Sequence, residues 1–184
     1  MDLNLEAFSV PIPTCFYSIE TGMPFVSCSV CSCNLFDSGK DYFIEKVFRD
    51  ANVEFEFSIC EDCKSKLSEQ ISLKSMMSMS NYFMNNFDLE TRIKIIDNFD
   101  NSIVPWLEKC IFKGIPRRNC RDYQMSAHCN KDQLIVSILP FMVSFKASEE
   151  MQKTISKETK ESFDKFMKEV INPPGSIKDI PIIV

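Results

Sequence analysis

Residues 53–59 alternate strictly. Val53, Phe55, Phe57 and Ile59 fall on one face and Glu54, Glu56 and Ser58 on the other, the period of a half-buried strand. The run before it, DYFIEKVFR at 41–49, is β-branched and aromatic, so the two together predict a hairpin. After Ile59 the period changes. Cys63, Leu67 and Ile71 follow at helical spacing, and Glu61 and Asp62 suit the positive end of a helix. Ser72 is the predicted N-cap of a second helix, which carries Met79, Tyr82, Phe83 and Phe87 inward. Leu89, Ile93, Ile96 and Phe99 predict another helix over 88–99, and 101–106, which contains Pro105, reads as a linker. Further on, 123–129 alternates, with Tyr123, Met125, Ala127 and Cys129 on its apolar face. In 134–143 both faces are apolar, which predicts a strand buried on both sides, between two halves of the chain or at a homodimer interface.

The pattern repeats. Sliding the chain by 84 positions lays Phe57, Ile59, Leu67, Ile71 and Ser72 on Phe141, Val143, Met151, Ile155 and Ser156. Met79, Tyr82, Phe83 and Phe87 fall on Phe163, Phe166, Met167 and Ile171, and Asp41-Tyr42 recurs as Asp122-Tyr123 with a slightly different offset. Apolar positions match apolar ones in strand, helix start and second helix, in the same order. Cys28, Cys31, Cys60 and Cys63 correspond to Cys110, Lys113, Ser144 and Ala147, so the second copy keeps one cysteine of four.

Composition narrows the functional classes. Lys and Arg number 21 against 26 Asp and Glu, a net charge of −5, which disfavours non-specific nucleic-acid binding. With 4 Gly the chain has neither a dinucleotide-binding nor a P-loop motif. One His excludes every two-His metal centre. Residues 1–10 carry two acids and no base, so no leader peptide is expected, and no uncharged run approaches a membrane span. A cytoplasmic protein is the expectation. There an odd count of 9 Cys argues for metal ligation or burial rather than disulfides.

Two C-x2-C pairs stand out, Cys28/Cys31 and Cys60/Cys63, with 28 residues between them. They sit at the two ends of the predicted hairpin, the second at the start of a helix. Four thiolates in two chelating turns suit tetrahedral zinc. A knuckle, a hairpin and a helix bearing the second pair, over 27–71, resemble the treble-clef zinc-finger superfamily. The resemblance implies zinc and a local fold; it implies no activity, because treble clefs serve binding, structural and catalytic roles alike. Ser32 stands where such knuckles often carry Gly, and Cys33 is an alternative ligand to Cys31, although the spacing favours Cys31. Four thiolates leave no open coordination position, so one structural Zn2+ is expected, contributing on the order of 10 kcal/mol to folding. The competing readings are four reduced core cysteines and a redox pair, but the thioredoxin-like setting is absent.

Other candidates are weaker. Cys110, Cys120, His128 and Cys129 lack a chelate pair, and adjacent His128 and Cys129 face opposite sides of a strand, so core cysteine is preferred to a second metal site. Nothing in the sequence specifies a Cys120–His128 catalytic contact, and 42–59 contains no His for a His-metal nuclease. Lys113, Arg117, Arg118 and Arg121 form the one basic cluster, a candidate contact for phosphate or an acidic partner. The Met-rich run 76–87 reads as a helix core face or an adaptable binding groove.

The sequence thus predicts an α+β protein of two tandem treble-clef-like units, the second degenerate and without metal ligands. The expected boundaries are an extended segment over 1–26, the zinc unit over 27–100, a linker over 101–109, the degenerate unit over 110–172 and an extended tail over 173–184. The expected function is non-catalytic recognition of another protein. Nucleic-acid binding is the alternative, with a thiol-dependent enzyme or redox switch behind it.

Overall fold

The computed structural model describes residues 7–37 and 39–168; the expected tail over 173–184 lies outside them. The strands are β1 (Phe8–Pro11), β2 (Asp41–Arg49), β3 (Asn52–Cys60), β4 (Asp122–Asn130), β5 (Gln133–Val136) and β6 (Phe141–Ser144). The helices are α1 (Glu61–Ser68), α2 (Leu73–Asn86), α3 (Leu89–Asp97), the single turn α4 (Val104–Leu107), α5 (Phe145–Gln152) and α6 (Lys157–Phe166). This is a mixed α+β fold around one antiparallel sheet, ordered β1-β5-β4-β2-β3, with β6 also on β4.

β2 and β3 form the predicted hairpin, turned at Asp50 and Ala51, which both take positive φ. β4 pairs with β2 along its whole length and divides its other edge between β5 and β6. In the β2–β4 register Tyr42 lies opposite Cys129, Phe48 opposite Tyr123, and Glu45 opposite Ser126. Tyr42, Ile44, Met125, Ala127 and Cys129 form a buried floor, and Trp106, Leu134 and Met142 join the same core.

Lys46 is out of pattern, an ammonium 1% exposed on that buried face. It lies 3.0 Å from Glu56 Oε2 and donates to the Tyr17 carbonyl, while the Ile19 N–H donates to Glu56 Oε1 at 2.7 Å. A buried cation needs such partners, and these two pin the N-terminal segment to the sheet.

Three stretches hold structure that the sequence reading did not describe. The described part of the expected extended segment 1–26 contains β1, paired with β5, and a 3-10 turn at Thr14–Phe16 that buries Phe16. The expected linker 101–109 contains α4, whose Trp106 is buried and donates its indole N–H to the Ser137 carbonyl. The apolar run 134–143 is two strands, broken before Pro140, whose nitrogen cannot donate to a ladder.

Both predicted serine caps are in place. Ser72 accepts from the Ser75 N–H and Ser156 from the Thr159 N–H. The two helix starts also meet each other. The Ser72 N–H donates to Thr159 Oγ1 (3.1 Å), the Ser156 N–H donates to Ser75 Oγ (2.8 Å), and the two cap hydroxyls are 3.1 Å apart.

Candidate metal centre

The segment before β2 turns back on itself in a short loop closed by a bridge between Ser27 and Asn34. Inside it the Cys28 N–H donates to the Cys33 carbonyl and the Ser32 N–H to the Cys28 carbonyl. This turn requires Ser32 at φ 59°, the left-handed conformation that glycine adopts freely. The Ser29 N–H donates to the Ser58 carbonyl, which fixes the loop against the end of β3. There Cys60 occupies the N-cap position of α1, and Cys63 lies in the first turn.

These constraints gather the thiols. The Sγ atoms of Cys28, Cys31, Cys33 and Cys60 all lie within 4.8 Å of one another, the one such group among the described residues. Cys63 Sγ lies outside that group, with Cys60 and Cys31 among the thiols that act on it. A tetrahedral zinc with Zn–S bonds of about 2.3 Å sets its sulfurs about 3.8 Å apart. The Cys31 and Cys60 sulfurs are separated by 3.8 Å.

Backbone amides already point at the sulfurs. Val30 and Cys60 donate their N–H groups to Cys28 Sγ, both at 3.4 Å, and the Cys33 N–H donates to Cys31 Sγ. That last bond, with help from neighbouring thiols, lowers the Cys31 thiol to about 6, whereas burial pushes Cys28 and Cys63 up. Amide donors of this kind stabilise thiolates, the form that binds metal. The residues therefore fit a zinc ion held by thiolates. The structure draws Cys33 closer to the group than the sequence reading did, and Cys63 stands slightly outside the tightest four. All nine cysteines are free thiols.

The second cysteine-bearing loop has the same hydrogen-bond plan with other side chains. A bridge joins Lys109 and Pro116, the Cys110 N–H donates to the Ile115 carbonyl, and the Gly114 N–H donates to the Cys110 carbonyl. Gly114 takes φ 63°. The Ile111 N–H donates to the Met142 carbonyl and the Ser144 N–H to Cys110 Sγ at 3.3 Å. In place of a thiol group, Ser144 Oγ donates to Cys110 Sγ at 3.2 Å, and Lys113 forms an ion pair with Glu150.

The candidate second metal site does not assemble. Cys110, Cys120, His128 and Cys129 supply no group of three within ligating distance. Cys120 Sγ donates to the Pro116 carbonyl, His128 Nε2 lies 2.6 Å from Asp41 Oδ2 and stacks on Phe43, and Cys129 is buried beside Tyr42. Three members of the basic cluster have partners within the chain. Lys113 is on Glu150, Arg121 on Asp50 and Arg117 against Met125 Sδ, while Arg118 is exposed.

One polar cluster escaped the sequence reading. Glu45 is 3% exposed on β2, and its Oε2 accepts from Gln124 Nε2 (2.7 Å) and Ser126 Oγ (2.6 Å). The signal was an acid in the middle of a run that otherwise reads as a central strand.

Comparison with protein-family models, with curated proteins and with solved structures yields no match. Fold and site together define the class: an α+β protein with a cysteine cluster able to hold a metal, of a generic zinc-binding kind. No described helix is long and apolar enough to cross a membrane.

Proposed function

We propose that the protein is a non-catalytic, cytoplasmic binding protein. It is built from two treble-clef-like units, the first held by one structural Zn2+ on Cys28, Cys31, Cys60 and Cys63 and the second free of metal. The observation that carries this reading is the thiol group joining a knuckle-like loop to the start of α1. Cys33 then serves mainly through its amide, which donates to Cys31 Sγ.

The duplication draws support from reciprocal contacts. Tyr42 pairs with Cys129, and their counterparts Tyr123 and Phe48 pair with each other. The Ser72–Thr159 bond is mirrored by Ser156–Ser75. Reciprocal pairs of this kind characterise an isologous two-fold interface. The Cys110–Ser144 bond and the Lys113–Glu150 ion pair then do by packing and charge what zinc does in the first unit.

The binding surface in this reading is the outer face of α2, where Leu73, Met76, Met77 and Met84 are exposed and unbranched Met side chains can adapt to a partner protein. Nucleic-acid binding is less favoured, because Lys113 and Arg121 are already paired with acids. Proximity labelling in the source cell tests the protein-partner reading. A set of neighbours lost on Met76→Glu with Met77→Glu supports it, and an unchanged set contradicts it. Retention on heparin at low salt, released by moderate salt, would favour nucleic acid instead.

A further inference from the structure

A cavity of about 360 Å³ lies between the sheet and α2, with Met79, Phe83, Phe112 and Met151 among its apolar walls and Glu45 and Lys64 as its charged groups. An engineered cavity of about 150 Å³ holds one benzene ring. This one has room for two fused rings or a medium-length acyl chain. Apolar walls with a few convergent polar groups are the general composition of small-molecule sites.

The two charged groups are unequal. Glu45 Oε2 is already occupied by Gln124 and Ser126. Lys64 makes no ion pair or hydrogen bond among the described residues; its ammonium lies 3.5 Å from the centre of the Phe43 ring, burial lowers its hold on its proton, and Glu45 is the acid that acts on it. We propose that the cavity binds a carboxylic acid with an apolar body, the carboxylate on Lys64 beside Glu45 and the body among the Met and Phe side chains of α2. Burial pushes the Glu45 carboxyl up to about 8, so near neutral pH it is protonated and able to donate to the same carboxylate. A cationic head would meet the Lys64 ammonium, and a neutral alcohol would leave that cation unpaired. This site meets the thiol group only at Lys64, which follows Cys63 in α1, and does not depend on the reading of α2 as a protein-binding face.

The test is calorimetric titration of the zinc-loaded full chain with decanoate, decanol and decylamine, each below its aggregation concentration. The expected result is saturable decanoate binding at least 10-fold tighter than decanol, with decylamine weakest. Lys64→Met should lower decanoate affinity about 10-fold and leave decanol within 2-fold. Because Lys64 adjoins Cys63, that variant is compared at matched zinc content and melting temperature. Ser80→Trp, at the exposed rim of the cavity, should block all binding without touching the core. Equal affinity for decanol or decylamine, decanoate binding indifferent to Lys64→Met, or no saturable binding below millimolar concentration would each overturn the proposal.

Discussion

Building a four-cysteine site into the second cysteine-bearing loop tests the proposed correspondence of the two loops directly. The variant is Lys113→Cys, Ser144→Cys and Ala147→Cys, with Cys110 already present. Its costs can be worked from the structure. Ser144 caps α5 by accepting from the Ala147 N–H at 3.4 Å, and losing such a cap costs about 1 kcal/mol. The Lys113–Glu150 pair is a quarter to a third exposed, so its loss costs about 1 kcal/mol at most. Ala147 is fully buried, and an added sulfur there costs about 1–3 kcal/mol in overpacking. The metal-free variant is therefore a few kcal/mol less stable than the parent. A four-thiolate zinc site contributes about 10 kcal/mol or more, so bound zinc outweighs all three losses. Elemental mass spectrometry should find one more zinc per chain than in the parent. With zinc present, thermal melts should show a midpoint above the parent. A folded variant that takes up no further zinc would refute the correspondence of the two loops.

Three further outcomes are expected. Ser32→Gly relieves a left-handed residue in the first loop and should stabilise the protein by about 1 kcal/mol, seen as a higher urea midpoint at unchanged m; a fall in midpoint would show that the Ser32 side chain matters more than its backbone. Lys46→Met leaves Glu56 without its buried cation and should cost about 3–5 kcal/mol, while the double variant with Glu56→Leu recovers most of it; equal losses in the single and double variants would contradict the ion-pair account. Glu45→Gln should raise the melting temperature more at high pH than at low. The folded chain holds the Glu45 proton up to about 8, whereas the unfolded chain releases it near 4.5, so the parent loses stability as pH rises between those values. A pH-independent difference between variant and parent would contradict the buried, protonated carboxyl.

The hairpin, α1 and the two serine caps were legible because each depends on local sequence. Strict alternation over 53–59, acids at the start of a helix and a serine before an apolar run all act within a few residues. Of the two C-x2-C pairs, Cys28, Cys31 and Cys60 meet in the thiol group, and their spacing was legible for the same reason. Positions decided by tertiary contact were not. Trp106 reads as a linker residue until the Ser137 carbonyl accepts its indole N–H. Lys46 and Glu45 break the apolar pattern of a central strand, and only the cross-strand Glu56 together with the distant Tyr17, Gln124 and Ser126 make their burial tolerable. Cys33, named from the sequence as an alternative to Cys31, instead joins it in the thiol group, across a left-handed residue at Ser32. Spacing alone does not report that turn.

In the proposed architecture one zinc, held by thiolates, ties the first loop to α1. The first measurement is the zinc-to-protein ratio of chain purified without added metal, with Cys60→Ser as the paired control. The expected ratio is near one for the parent and near zero for Cys60→Ser, with loss of the cooperative melt. A parent ratio near zero would contradict the metal centre, and a ratio near two would contradict the metal-free second unit.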